Sequence, residues 1–274
     1  MSESKYTLSA REFPVADKKA KPPKFNYPGV TLRVGPSDLT GDEIATIAVF
    51  NSTNAKTGNV VQVYYLPIAE HPMDAIKSGL DQSICGNCTL RPLFGRKTKC
   101  YVRKGHGPAK VWATFHNNRY PLIDNLLPAL QQQVMEILAS KPIHLGAYGD
   151  PAADVESSKR LAKIGGRNTL AYTHQWKLFP ELKPFAMASV DNLEDYQLAK
   201  SEGWRSYRHQ SLDRLQYHND GRFIDIHNKE WNGGYQSEIL CPNTTHKIQC
   251  VDCKLCNGAN GRNGKDIVVA SIGA

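Results

Sequence analysis

The chain of 274 residues is 41% hydrophobic and 22% charged, a balance that suits a folded protein of one large domain or one and a half. No run of about 18 apolar residues occurs, which excludes a membrane-spanning helix. A formal net charge of +8 directs attention to an anionic partner such as a nucleotide or nucleic acid.

In chain order, residues 1–28 read as a disordered basic arm around "ADKKAKPPKFNYP". Such an arm is as often a solvated terminus as a contact to DNA. The runs "VTLRV", "IATIAVF" and "NVVQVYYLPI" then carry the β-branched and aromatic residues of strands, with the turn "NSTNAKTGN" between the last two. A short amphipathic helix, "HPMDAIKSGLDQ", leads to the segment "CGNCTLRPLFGRKTKCY".

That segment holds Cys85, Cys88 and Cys100. Three thiolates are one short of a tetrahedral site, so the fourth place falls to a histidine, water, substrate or other ligand, and an open place is where chemistry occurs. A zinc knuckle completed by His106 or another histidine is the plainer alternative. Next, "YVRKGHGPAKVW" puts Pro108 at a first helical position after a cationic turn of Lys104, His106 and Lys110. A phosphate or carboxylate fits such a turn, and so does plain solvent.

From Leu126 the pattern alternates. A helix "LLPALQQQVMEILAS" precedes a strand "IHLGAY", a helix "VESSKRLAKIGG", a strand "TLAYT", a strand "FAMASV", a helix "NLEDYQLAKSEG" and a strand "WRSYRH". Alternation of this kind implies a parallel sheet with crossover helices. The expected fold is therefore α/β, a partial (β/α) TIM-like barrel with a β-rich N-terminal region and cysteine-rich metal-binding loops. Three segments are expected: the arm 1–28, a barrel-like domain 29–240 that includes the first cysteine motif, and a cysteine-rich segment 241–274.

Sites in parallel α/β folds lie at the carboxyl ends of the strands. There the sequence places Tyr148 and Asp150, then Tyr172, His174, Gln175 and Trp176, then Ser189 and Asp191, then Arg208. Asp150, His174, Asp191 and Arg208 are the candidate catalytic residues, because a carboxylate, an imidazole and a guanidinium can move protons and hold a polar ligand. Tyr148, Tyr172, Gln175, Trp176 and Ser189 are candidate substrate contacts, Trp176 as a stacking wall. Helix capping is the competing reading for Asp150 and Asp191.

The last segment, "CPNTTHKIQCVDCKLC", contributes Cys241, Cys250, Cys253 and Cys256. A total of seven cysteines is odd, and no apolar leader follows the first residues, so a reducing cytoplasm and metal binding are expected rather than disulfides. The C-x2-C-x2-C run with a more remote fourth cysteine is ferredoxin-like and favours a [4Fe–4S] cluster, while zinc remains the alternative.

The series "ICGNC", "KCYV", "GPAKVW", "LGAYGDPAA", "YTHQW", "MASVD", "GWRSYR" and the terminal "CP" and "CVDCKLC" resembles a family of phage and bacterial proteins related to mycobacteriophage gene product 88. The similarity runs from about residue 80 onward. That family brings no assigned activity, but it implies a phage-encoded protein in the host cytoplasm. More loosely, three cysteines followed by "GAYGDP" and successive β/α units resemble the radical SAM enzymes. The departure is in spacing, C-x2-C-x11-C in place of C-x3-C-x2-C. This resemblance implies one or two [4Fe–4S] clusters and S-adenosylmethionine as a cofactor, while the net charge and the phage family suggest a nucleotide or DNA base as substrate. The alternative is a zinc-stabilised protein that binds nucleic acid or modifies its bases in the manner of a transglycosylase.

Overall fold

The computed structural model describes residues 23–91, 100, 102–211, 215–217, 223–225, 238–259 and 264–271. Of the expected arm, residues 1–22 lie outside this set. Residues 23–28 run along the body, where Phe25 is buried against Phe50 and its amide donates to Gln133 Oε1 at 2.9 Å.

Three strands open the chain, β1 (Gly29–Pro36), β2 (Glu43–Val49) and β3 (Val61–Pro67), paired antiparallel in that order. β3 is buried at every position, as a central strand covered on both faces must be. The chain then crosses over through α1 (Pro72–Ser78), α2 (Gln82–Cys85), α3 (Gly107–His116) and α4 (Pro128–Ala139), and returns as β4 (Ile143–Tyr148), parallel to β3. Leu130, Val134 and Leu138 recur every fourth residue of α4, so one face of that helix enters the core.

After α5 (Val155–Gly165) come β5 (Thr169–Leu170) and β6 (Tyr172–Thr173), separated by Ala171 alone. β5 closes the first five-stranded sheet, β1-β2-β3-β4-β5. β6 begins a second sheet of order β11-β12-β8-β7-β6, which is parallel throughout. Its other members are β7 (Met187–Ser189), β8 (Ser206–Ser211), β11 (Glu238–Leu240) and β12 (Asp266–Ser271), with α6 (Leu193–Ser201) between β7 and β8. One extended segment, Thr169–Thr173, is thus the edge of both sheets. A short antiparallel pair, β9 (Leu215–Tyr217) and β10 (Phe223–Asp225), stands apart.

The alternating elements expected from Leu126 onward form where their periodicity and glycine stops place them. The closed form of a barrel does not. Among the described residues the strands make two five-stranded sheets, because the pairing changes partners at Ala171 and the first sheet ends in an antiparallel edge. The C-terminal segment is no appendage either: β12 inserts between β8 and β11 and lies in the middle of the parallel sheet. No helix among the described residues is long and apolar enough to cross a membrane.

Candidate functional site

The seven cysteines are free thiols that fall into two groups. α2 ends at Cys85, and the turn that follows is closed by a hydrogen bond from Cys88 N to Cys85 O at 3.1 Å. Gln175, just past β6, clasps this turn: its Nε2 donates to Cys85 O at 3.0 Å and its Oε1 accepts from Asn87 N at 3.3 Å. Arg91 supports it from the other side, pairing with both carboxylate oxygens of Asp81 and donating to Gly86 O at 2.8 Å. Asp150 N donates to Ile84 O at 2.6 Å, and Thr89 Oγ1 donates to Asp191. The turn is therefore strapped onto the carboxyl ends of β4, β6 and β7, where a parallel sheet presents its sites.

Burial pushes the Cys85 thiol well up from its ordinary range, and the nearby Cys88 and Cys100 push it further. Burial also raises Cys100, while Lys104 pulls it down. A cation among the three would reverse this balance and favour thiolates. Beside them stands His174, with Nε2 3.6 Å from Asp191 Oδ1. Burial opposes charge on this imidazole, but Asp191 and Cys88 outweigh it and raise its pKa to about 10. Asp191 is held below the usual carboxylate range, since His174 and Thr89 overcome the effect of its burial.

The second group forms where the C-terminal segment lies against the first sheet. Cys250 N donates to Lys56 O at 3.1 Å, Val251 N to Thr57 O at 2.9 Å, and Ala171 N to Cys256 O at 2.8 Å. Cys241 follows β11 and begins α7 (Pro242–His246), and Cys250 and Cys253 bound the one-turn α8 (Cys250–Cys253). Burial raises the Cys256 thiol most, and the neighbouring Cys241, Cys250 and Cys253 raise it further. Cys250 is pushed up to about 11 by burial, against the pull of Lys56. The thiols that act on Cys85 and Cys100 come from the first group and those that act on Cys250, Cys253 and Cys256 from the second, which divides the seven as three and four.

These donors are of a kind that metals take, but among the described residues no three His, Cys, Asp or Glu side chains sit close enough together to hold an ion.

The remaining candidates separate. Asp150 is buried and holds loops together, accepting from Thr173 Oγ1 at 2.7 Å, Ala152 N at 3.0 Å and His174 N at 2.8 Å. Its capping role is therefore real, and it also fixes the backbone of His174. Tyr148 is buried near Cys85 and Cys100, and its hydroxyl has no hydrogen-bond partner; the Ser189 hydroxyl is likewise unpartnered. Tyr172 stacks on Tyr207.

Trp176 is not a stacking wall. It lies in the core, edge-on to Trp204, and its indole N–H donates to Ser189 O at 3.1 Å, because this side chain points away from the mouth into the layer beneath. Arg208 is paired in the sheet with Glu238, Nε to Oε1 at 2.7 Å, both side chains being buried. Gln210, beyond it, has a side chain outside the described set. The residues that sequence reasoning passed over are Thr89, Asp81 and Arg91, which carry no motif, and His144, whose place in the strand "IHLGAY" was the one available signal.

A cavity of about 930 Å³ opens beside the second thiol group. Its walls include His144, Tyr172 and Tyr207 as well as Cys241, Cys250, Cys253 and Cys256. No family profile, curated protein or solved structure matches this chain.

Proposed function

We propose that the protein is an iron–sulfur enzyme of radical-SAM-like character acting on a nucleotide or DNA base. The observation that carries this reading is the division of the seven thiols, with the group of three at the carboxyl ends of parallel strands and a complete group of four elsewhere. In this reading the succession β3, β4, β6, β7 and β8 is the wall of a partial barrel. Cys85, Cys88 and Cys100 hold a [4Fe–4S] cluster with one open position, and Cys241, Cys250, Cys253 and Cys256 hold a second.

Held by Cys85, Cys88 and Cys100 and given one electron by an external low-potential reductant, such a cluster with S-adenosylmethionine would supply cleavage of the sulfonium and abstraction of hydrogen from substrate. The chain's own residues prepare the place. Gln175 fixes the cysteine turn, Asp150 fixes the loop that bears His174, and the His174–Asp191 pair, which carries no net positive charge of its own, stands beside Cys88 as a polar edge of the site.

A second reading has its own support, since Cys241, Cys250, Cys253 and Cys256 are a complete tetrahedral set of the kind structural zinc takes. The protein would then be a zinc-stapled binder or modifier of nucleic acid. Anaerobic purification with iron, sulfide and zinc analysis decides between them. Two clusters of four irons give about eight iron per chain with equal sulfide. Cys85→Ala should remain folded, lose half the iron and lose binding of S-adenosylmethionine; Cys253→Ala should lose the other half. Zinc without sulfide, or a Cys85→Ala chain that fails to fold, overturns the radical reading in favour of the zinc one.

A further inference from the structure

Among the described residues, three cations, Lys56, Arg103 and Lys254, line the 930 Å³ cavity and no carboxylate does. The size is that of a small-molecule site. Lys56 and Lys254 belong to the wall of the four thiols: the Lys56 carbonyl is bonded to Cys250 N, and Lys254 is the C-terminal cap of α8. Of the two, Lys56 acts on the thiols, pulling Cys250 and Cys256 down against their burial.

Arg103 stands on a wall without thiols, beside Gly107 and Pro108 at the start of α3. This is a ten-residue helix whose N-cap, His106, makes no side-chain capping bond. Positive charge and helix dipole there act together on an anion.

The floor is aromatic. Tyr172 and Tyr207 stack with centroids 4.1 Å apart and planes 6° from parallel, and the His144 ring lies 5.9 Å from Tyr172. His144 Nδ1 is buried without a hydrogen-bond partner among the described residues. A buried polar atom left unpaired costs on the order of 1–3 kcal/mol, and ligand sites are where proteins tolerate such a cost. A ring with polar edges can lie on the tyrosines and meet the imidazole.

We propose that this cavity binds a nucleoside monophosphate, with the ring against Tyr172 and Tyr207 and the phosphate at Arg103 and the first turn of α3. The inference rests on the proposed function for the ligand class alone, since the cavity lies beside the four-thiol group and not the group of three. It depends on the cavity and not on which metal the thiols hold, so the two readings fail separately.

The test is equilibrium dialysis of the full purified chain against AMP, GMP, CMP and UMP, with the four nucleosides and inorganic phosphate in parallel. At least one nucleotide should bind saturably, one per chain, and its nucleoside about tenfold more weakly, the loss of one charge-assisted contact. Arg103 is exposed, so Arg103→Ala should fold normally. It should weaken the nucleotide by about tenfold and leave the nucleoside unchanged. The proposal is overturned if none of the four nucleotides binds, if nucleoside and nucleotide bind alike, or if Arg103→Ala has no effect. Binding of a single-stranded oligonucleotide in place of all four would also overturn it, and would indicate an extended nucleic-acid surface. A chain that contains zinc and binds a nucleotide would sink the iron–sulfur reading and keep this one.

Discussion

The side chain of Gln175 donates to the Cys85 carbonyl at 3.0 Å and accepts from the Asn87 amide at 3.3 Å, so a residue at the end of one strand holds the turn that carries two cysteines. Gln175→Leu keeps the volume and removes both bonds. The expected cost is about 1–3 kcal/mol in urea unfolding, from the groups left unsatisfied. Metal bound to the first thiol group should also be lost faster to a chelator than metal bound to the second. Equal rates at the two groups would show that the clasp does not shape the site.

Arg208 and Glu238 form a buried pair that joins β8 to β11 across β12. Removing one partner leaves the other charge uncompensated. Arg208→Met and Glu238→Gln are each expected to destabilise by about 3–5 kcal/mol, with the double replacement Arg208→Met, Glu238→Met less harmful than the sum. Additive single effects in thermal unfolding would contradict this.

Gly258 has φ of +64°, and a Cβ there would stand 2.5 Å from Phe185 C and 2.6 Å from Ala186 N. Backbone cannot move aside as a side-chain tip can. Gly258→Ala should cost on the order of 3 kcal/mol and detach the segment next to Cys256, lowering metal content at the four-thiol group only. A variant with unchanged stability and metal content would refute the close packing.

His144 has its pKa pushed down to about 4 by burial, with Lys56 adding to the effect. Unfolded, the imidazole titrates near 6.5. As pH falls below that value the unfolded chain takes up the proton first. Stability from neutral His144 is thus complete above the unfolded pKa and is lost as pH drops toward and through about 4. The loss is on the order of 2–3 kcal/mol. In urea titrations between these limits His144→Gln should show a shallower slope than the parent chain, and identical slopes would place the acid sensitivity elsewhere.

Much of the architecture was legible in the chain because its signals are local. Leu130, Val134 and Leu138 announce the buried face of α4, and Gly203, with φ of +77°, closes the helix that Asn192 begins by accepting from Asp195 N. Cysteine spacing drew attention to the two thiol segments, and the rule for parallel sheets led to Asp150, His174, Gln175 and Asp191, which the fold does bring to the first thiol group.

What no local pattern carried was pairing across distance. The switch of sheets at Ala171, the insertion of β12 between β8 and β11, the match of Arg208 with Glu238 and the turning of Trp176 into the core all depend on partners far along the chain. So does the division of the thiols: Cys241 comes near Cys250, Cys253 and Cys256, and Cys100 near Cys85 and Cys88, across separations in the chain that no local pattern spans. The sequence by itself determined which residue types were present and which short elements they would form, since backbone propensity and hydrophobic period act within a few residues. Only the tertiary structure decided which of those residues meet, because burial and pairing are set by the packing of the whole chain.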